Sequence, residues 1–103
     1  MDRLEKLLKM LEEQPGDSFL LFAIALEYVK LGNDATALEY FNKILQNEPG
    51  YEGLYYHLGK LYERKNDLEK AREIYTAGLS ITKALNPKAN NELRAALDEI
   101  TEE

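Results

Sequence analysis

From Tyr55 to Tyr75 the chain reads Tyr55-x2-Leu58-Gly59-x2-Tyr62 and then, beyond a polar turn at Lys65-Asn66-Asp67, Ala71-x3-Tyr75. Large, small and aromatic residues fall at helical spacing on both sides of that turn. Two antiparallel helices need this alternation, because a small residue lets the backbones approach while an aromatic ring fills the gap beside it. The spacing predicts the closest helix approaches at Gly59 and Ala71. A shift of 34 residues lays Tyr28 on Tyr62, Ala37 on Ala71, Phe41 on Tyr75, Leu45 on Leu79 and Pro15-Gly16 on Pro49-Gly50. The chain is therefore read as repeated helical hairpins, each of which must stack on a neighbour to bury its apolar face.

Taken in order, residues 2–14 carry Leu4, Leu7, Leu8 and Leu11, an i, i+3, i+4, i+7 stripe that predicts an amphipathic helix. Gln14-Pro15-Gly16-Asp17 stops it, and Asp17 or Ser18 is placed to cap the next helix, about 18–31. That second helix is apolar almost all round. It has a core stripe (Leu21, Ile24, Ala25, Tyr28) and a second stripe (Phe19, Phe22, Leu26, Val29). Gly32 suits a left-handed C-terminal residue, and Asn33 or Asp34 a cap for the third helix, whose predicted buried side is Ala37, Leu38, Phe41, Ile44 and Leu45.

Glu48-Pro49-Gly50 ends the third helix. The fourth, about 52–65, holds Leu54, Tyr55, Leu58, Gly59, Leu61 and Tyr62. Asn66 then takes the place of Gly32, and Asp67 caps a fifth helix over 68–85, with Leu68, Ala71, Ile74, Tyr75, Gly78, Leu79 and Thr82 facing inward. Asn86-Pro87 opens a last helix, about 87–101, with Leu93, Ala96, Leu97 and Ile100 on one face. No segment of any length has strand periodicity.

These residues resemble the tetratricopeptide repeat, a 34-residue helix–turn–helix unit of the form W-x2-L-G-x2-Y…A-x3-F…P. One copy, 18–51, matches at Leu21, Ile24, Ala25, Tyr28, Ala37, Phe41 and Pro49. A second, 52–85, matches at Tyr55, Leu58, Gly59, Tyr62, Ala71 and Tyr75, with Lys83 in place of the proline. The resemblance implies an all-α, tetratricopeptide-like solenoid of helical hairpins with about six helices in a single domain over 1–103. Residues 2–17 form its N-terminal flanking helix and residues 86–103 a C-terminal capping helix.

It also implies a non-enzymatic scaffold that binds a protein or peptide in a concave groove. The groove positions it assigns are Phe19, Phe22, Ala23, Leu26 and Val29, then Tyr56, His57, Lys60, Glu63 and Arg64. The family's carboxylate clamp of lysine, asparagine and arginine is not carried over, since the first set holds no cation or amide. An apolar, aromatic wall (Phe19, Phe22, Leu26, Val29, Tyr56, His57) beside a basic edge (Lys60, Arg64) remains. It matches a partner with apolar anchors and acidic groups. The alternatives are a structural module that self-associates through the same groove and, with less support, an enzyme subunit.

Composition narrows the classes further. A net charge of −6 argues against nucleic acid or an anionic membrane as the ligand, despite the tyrosines at 51, 55, 56 and 62. One histidine and no cysteine leave a metal only carboxylates, and no calcium, phosphate-binding or nucleophile motif occurs. The expectation is no cofactor and no metal. The most apolar run, Phe19 to Leu26, is far short of the ~20 residues of a membrane span. The N-terminus, charged in its first turns, does not read as a signal peptide, so a cytoplasmic location is expected.

Overall fold

The structure, a computed structural model, describes residues 1–82 and 86–101. Six α-helices and no strands form among the described residues: α1 (Arg3–Glu13), α2 (Ser18–Lys30), α3 (Asp34–Asn47), α4 (Leu54–Arg64), α5 (Leu68–Thr82) and α6 (Pro87–Thr101). Five of the six starts are fixed by a side-chain oxygen that accepts from a free amide of the first turn. Asp2 accepts from Glu5 N at 2.8 Å, Asp17 from Leu20 N at 3.1 Å and Asn33 from Thr36 N at 3.2 Å. Asp67 accepts from Lys70 N and Asn86 from Ala89 N, both at 3.1 Å. Between the paired candidates, Asp17 and Asn33 are the caps, while the Ser18 hydroxyl is buried with no hydrogen-bond partner. Helix α4 starts two residues later than the periodicity predicts, because Gly53 precedes it and offers no capping side chain.

The helices gather into two units, Met1–Tyr51 and Glu52–Glu103, each packed mainly on itself. In the first, α1 lies on the side of α2 that carries Leu20, Ala23, Ile24 and Glu27. Leu7, Leu20, Ala23 and Ile24 form one buried cluster, with Leu4, Leu8, Leu11, Tyr28 and Tyr40 packed against it. Arg3 reaches Glu27 at 3.3 Å along the same edge. Ala23 therefore lies under α1, and not on an open groove face with Phe22. A residue five positions after Ser18 falls on the α1 side of the helix, a neighbour that the hairpin pattern alone does not include. The other side of α2 packs on α3, whose Ala37, Phe41 and Ile44 are completely buried. Leu38 and Leu45 are only half-buried at its margins. The turn between α2 and α3 closes with Asn33 N on Tyr28 O at 2.9 Å and Gly32 N on Val29 O at 3.0 Å, with Gly32 at φ +77°. This pair of bonds satisfies the last carbonyls of the helix and needs a left-handed residue.

The second unit repeats that turn with a different residue. Asp67 N bonds Tyr62 O and Asn66 N bonds Glu63 O, each at 2.9 Å, with Asn66 at φ +63°. Helices α4 and α5 meet at Gly59, where a Cβ would lie 2.6 Å from two ring carbons of Tyr75 and closer still to a third. Ala71 is also fully buried, as the spacing predicts. Gly78 has the same function towards both α4 and α6, since a Cβ there would stand 2.5 Å from Tyr55 Cβ and 2.9 Å from Leu93 Cδ1.

Polar bonds fix the register of α6 on α5: Asn90 donates to Leu79 O and to the Thr82 hydroxyl, both at 3.1 Å, while Thr82 donates to Gly78 O at 2.9 Å. Leu93 and Ala96 are buried as expected, and Leu97 and Ile100 half-buried. Leu68 departs from its expected inward place and is 40% exposed, because the first residue of α5 precedes the stretch that α4 covers. The predicted continuation of α5 over 83–85 lies outside the described residues.

Candidate functional site

Helix α2 buries Leu20, Leu21, Ala23, Ile24 and Ala25, and these occupy a little over half of its circumference. At 100° per residue, Phe19, Phe22, Leu26 and Val29 share the remaining arc. Phe19 is 64% exposed. Phe22, Leu26 and Val29 are half-buried, and the Phe22 ring is tilted against Phe41 at 6.2 Å and Tyr51 at 5.4 Å between centroids. The four residues read from the sequence as the second apolar stripe of this helix thus do share one face, with the Phe22 ring held against two other aromatic rings.

In the second unit, Tyr56, His57 and Lys60 are half-buried and Arg64 is exposed. Tyr56 and His57 meet edge to face at 5.5 Å. Lys60 is not a free cation. Its ammonium lies 3.6 Å from Glu63 and 3.6 Å from Glu99, and 5.6 Å over the Tyr56 ring. Glu63 in turn accepts the Tyr75 hydroxyl. Burial, then this hydrogen bond, raise the Tyr75 phenol well above its ordinary value, so it stays a donor. The chain of interactions Tyr75–Glu63–Lys60–Glu99 ties α5, α4 and α6 together. Burial pulls the His57 imidazole below its ordinary value, with Glu92 opposing the shift and Arg64 reinforcing it.

Helix α6 adds carboxylates to this face that the repeat pattern did not indicate. Tyr56, Lys60, Glu92, Ala95, Ala96 and Glu99 line a pocket of about 280 Å³. Glu92 and Glu99 are seven apart and so share one helix face, a signal present in the sequence but without a direction until α6 is placed. Of the expected basic edge, Lys60 is therefore matched by acidic groups of the same unit. Sequence reasoning also missed Met10, which lies off the leucine stripe of α1 and is 52% exposed. Among the described residues no group of three or more His, Asp or Glu is placed to hold a metal ion. No helix among them is long and apolar enough to cross a membrane.

Comparison with known proteins places these features in a family. The family model described as "Tetratricopeptide repeat" matches residues 28–97. A tetratricopeptide repeat and J domain-containing co-chaperone of Fusarium oxysporum is 36% identical over 61 residues, 59% of this chain and 12% of its own length. An uncharacterised ycf37 protein of Guillardia theta is 34% identical over 65 residues, 63% of this chain and 36% of its own length. The chain thus spans only a minor part of either relative. The crystal structure of a tetratricopeptide repeat domain protein from Salinibacter ruber superposes with a TM-score of 0.80 at 35% identity, covering 82% of this chain and 96% of that one. The fold class is the one expected, an all-α, tetratricopeptide-like helical solenoid. With its 34-residue period, its matched hairpins and the family model covering most of its length, the chain belongs to the tetratricopeptide repeat family.

Proposed function

We propose that the chain is a non-catalytic scaffold that binds another protein or peptide, and that its main contact surface is the apolar face of α2. The observation that carries this reading is the second stripe of that helix. Its core side is satisfied by α1 and α3, yet Phe19, Phe22, Leu26 and Val29 keep accessible apolar surface on one arc. Fully burying one such side chain is worth about 1.5–3 kcal/mol, so a partner that covers several gains a binding core. Similarity to a co-chaperone that contains tetratricopeptide repeats supports binding of other polypeptide chains. Tyr56, His57, Lys60 and Arg64 take a lesser part. The Lys60 ammonium already has two carboxylates, and an acidic ligand must compete with both.

The test is affinity capture with the parent chain and with a Leu26→Asp/Val29→Asp variant. Titration of the identified partner against each then follows. The reading predicts at least about a tenfold loss of affinity for the variant, as expected when two half-buried aliphatic contacts become charged. Unchanged affinity, or a partner lost only with Tyr56 or Arg64 substitutions, would contradict it. So would a parent chain that is fully dimeric, with the dimer abolished by the same double substitution, since the face would then be covered by a second copy.

A further inference from the structure

The flank of α1 beside the start of α2 joins exposed apolar side chains to cations in a chain that is acidic as a whole. Arg3, Lys6, Leu7, Met10 and Phe19 line a cavity of about 490 Å³. Phe19 and Met10, at 64% and 52% exposure, are two of the five large apolar side chains left open to solvent among the described residues. Both charged residues of the lining are cations. At 3.6 residues per turn, Arg3, Lys6 and Met10 fall within about 60° of one another. Glu5 and Glu12 project to the far side of the helix, while Glu13 shares the arc of Lys6 but is not part of the lining. Arg3 is steadied by Glu27 at 3.3 Å, while Lys6 makes no ion pair among the described residues. A lining with two cations, three apolar side chains and no carboxylate favours a ligand that joins an apolar anchor to acidic groups.

We infer that this hollow docks an apolar segment of a partner protein whose anchor residues are flanked by carboxylates. The anchor lies against Phe19, Met10 and Leu7, and the carboxylates meet Lys6 and Arg3. This inference rests on the reading of the chain as a protein-binding scaffold, but it concerns α1 and the first residue of the α2 stripe, not Leu26 and Val29.

Two short synthetic peptides test it with the full chain by fluorescence anisotropy. One carries a leucine–phenylalanine anchor flanked by glutamates, the other the same anchor flanked by lysines. The glutamate peptide is expected to bind more tightly. Lys6→Glu should weaken it roughly fivefold and flatten its salt dependence. Phe19→Ser or Met10→Ser should weaken it at least about tenfold, by loss of the apolar contact. All three side chains are exposed, so the variants should melt as the parent does.

Equal binding of the two peptides, or affinity unaffected by Phe19→Ser and Met10→Ser, overturns the proposal. So does sedimentation that reveals a dimer lost in Phe19→Ser while neither peptide binds, because the occupant is then a second copy. A captured partner that responds to Leu26→Asp/Val29→Asp but not to the Phe19, Met10 and Lys6 variants keeps the scaffold reading and removes this site. A partner that responds to neither set removes both.

Discussion

The two hairpins α2–α3 and α4–α5 follow one 34-residue template but fill it with different chemistry. Where the first has Ala25, Val29 and Phe41, the second has Gly59, Glu63 and Tyr75. The three changes belong together. Tyr75 presses so closely on α4 that no Cβ fits at Gly59, and its hydroxyl is accepted by Glu63, which sits where the first hairpin has a valine. Phe41 has no hydroxyl to satisfy and needs no carboxylate. The outer face differs accordingly: Phe22, Leu26 and Val29 in the first hairpin become Tyr56, Lys60 and Glu63 in the second. There Lys60 is held by Glu63 and Glu99. One hairpin leaves an apolar face with no polar demands, and the other closes its face with an internal network. A repeat thus fixes helix placement while leaving each copy free to open or close its surface.

The largest expected effect comes from forcing the first hairpin's small residue onto the second. Gly59→Ala should cost about 3 kcal/mol, the upper part of the range for overpacking, because the added methyl meets Tyr75 ring carbons. The reciprocal Ala25→Gly should cost about 1–2 kcal/mol through helix propensity and a lost buried methyl. Urea denaturation of the two variants would measure the difference, and equal shifts in midpoint would mean that the hairpins do not differ at this contact.

Next in size is the aromatic swap. Phe41→Tyr buries a hydroxyl without an acceptor and should cost about 1–3 kcal/mol. Adding Val29→Glu supplies the acceptor that Glu63 provides for Tyr75, and should recover roughly 1 kcal/mol in a double-mutant cycle. Tyr75→Phe should cost only about 1 kcal/mol, since Glu63 keeps Lys60 as its partner. Thermal melts of the four chains would show whether the coupling has the predicted sign.

Smaller effects belong to the turns. Gly32→Ala places a side chain at φ +77° and should cost about 1–2 kcal/mol, whereas Asn66→Gly should be neutral or stabilise by less than about 1 kcal/mol. Chemical denaturation resolves both.

The smallest is a pH effect confined to the second hairpin, where His57 stands in the place of Ala23. Its folded-state pKa lies below the unfolded value of 6.5, so the unfolded chain takes up the proton first. Its contribution to stability is complete above about pH 6.5 and declines as the pH falls through that value. His57→Gln should remove that part of the slope between about pH 7 and 5, as read from denaturation midpoints.

Much of this architecture is legible in the sequence because it is local. Caps at Asp17, Asn33, Asp67 and Asn86, the left-handed residues Gly32 and Asn66, and the close approach at Gly59 each depend on residues within a turn or one hairpin partner. What periodicity does not supply is the neighbour outside the hairpin. Ala23 sits under α1 because of where α1 lies, and Lys60 loses its freedom to Glu99, a residue two helices further on. Met10 carries no signal in the sequence for the same reason. A residue off the apolar stripe reads as solvated until Phe19 is seen beside it. The candidate residues on α2 are legible as a surplus of apolar positions, whereas those on α4 depend on a helix whose orientation no spacing encodes.

The central claim is that the first hairpin keeps an open binding face and the second fills its own. The most direct measurement is a methyl-resolved NMR titration of the chain with its captured partner. The methyl resonances of Leu26 and Val29 are predicted to shift strongly in proportion to occupancy, while those of Leu58 and Leu61, completely buried in the second unit, stay in place. Shifts confined to methyls of α4 and α6, with Leu26 and Val29 unmoved, would contradict it.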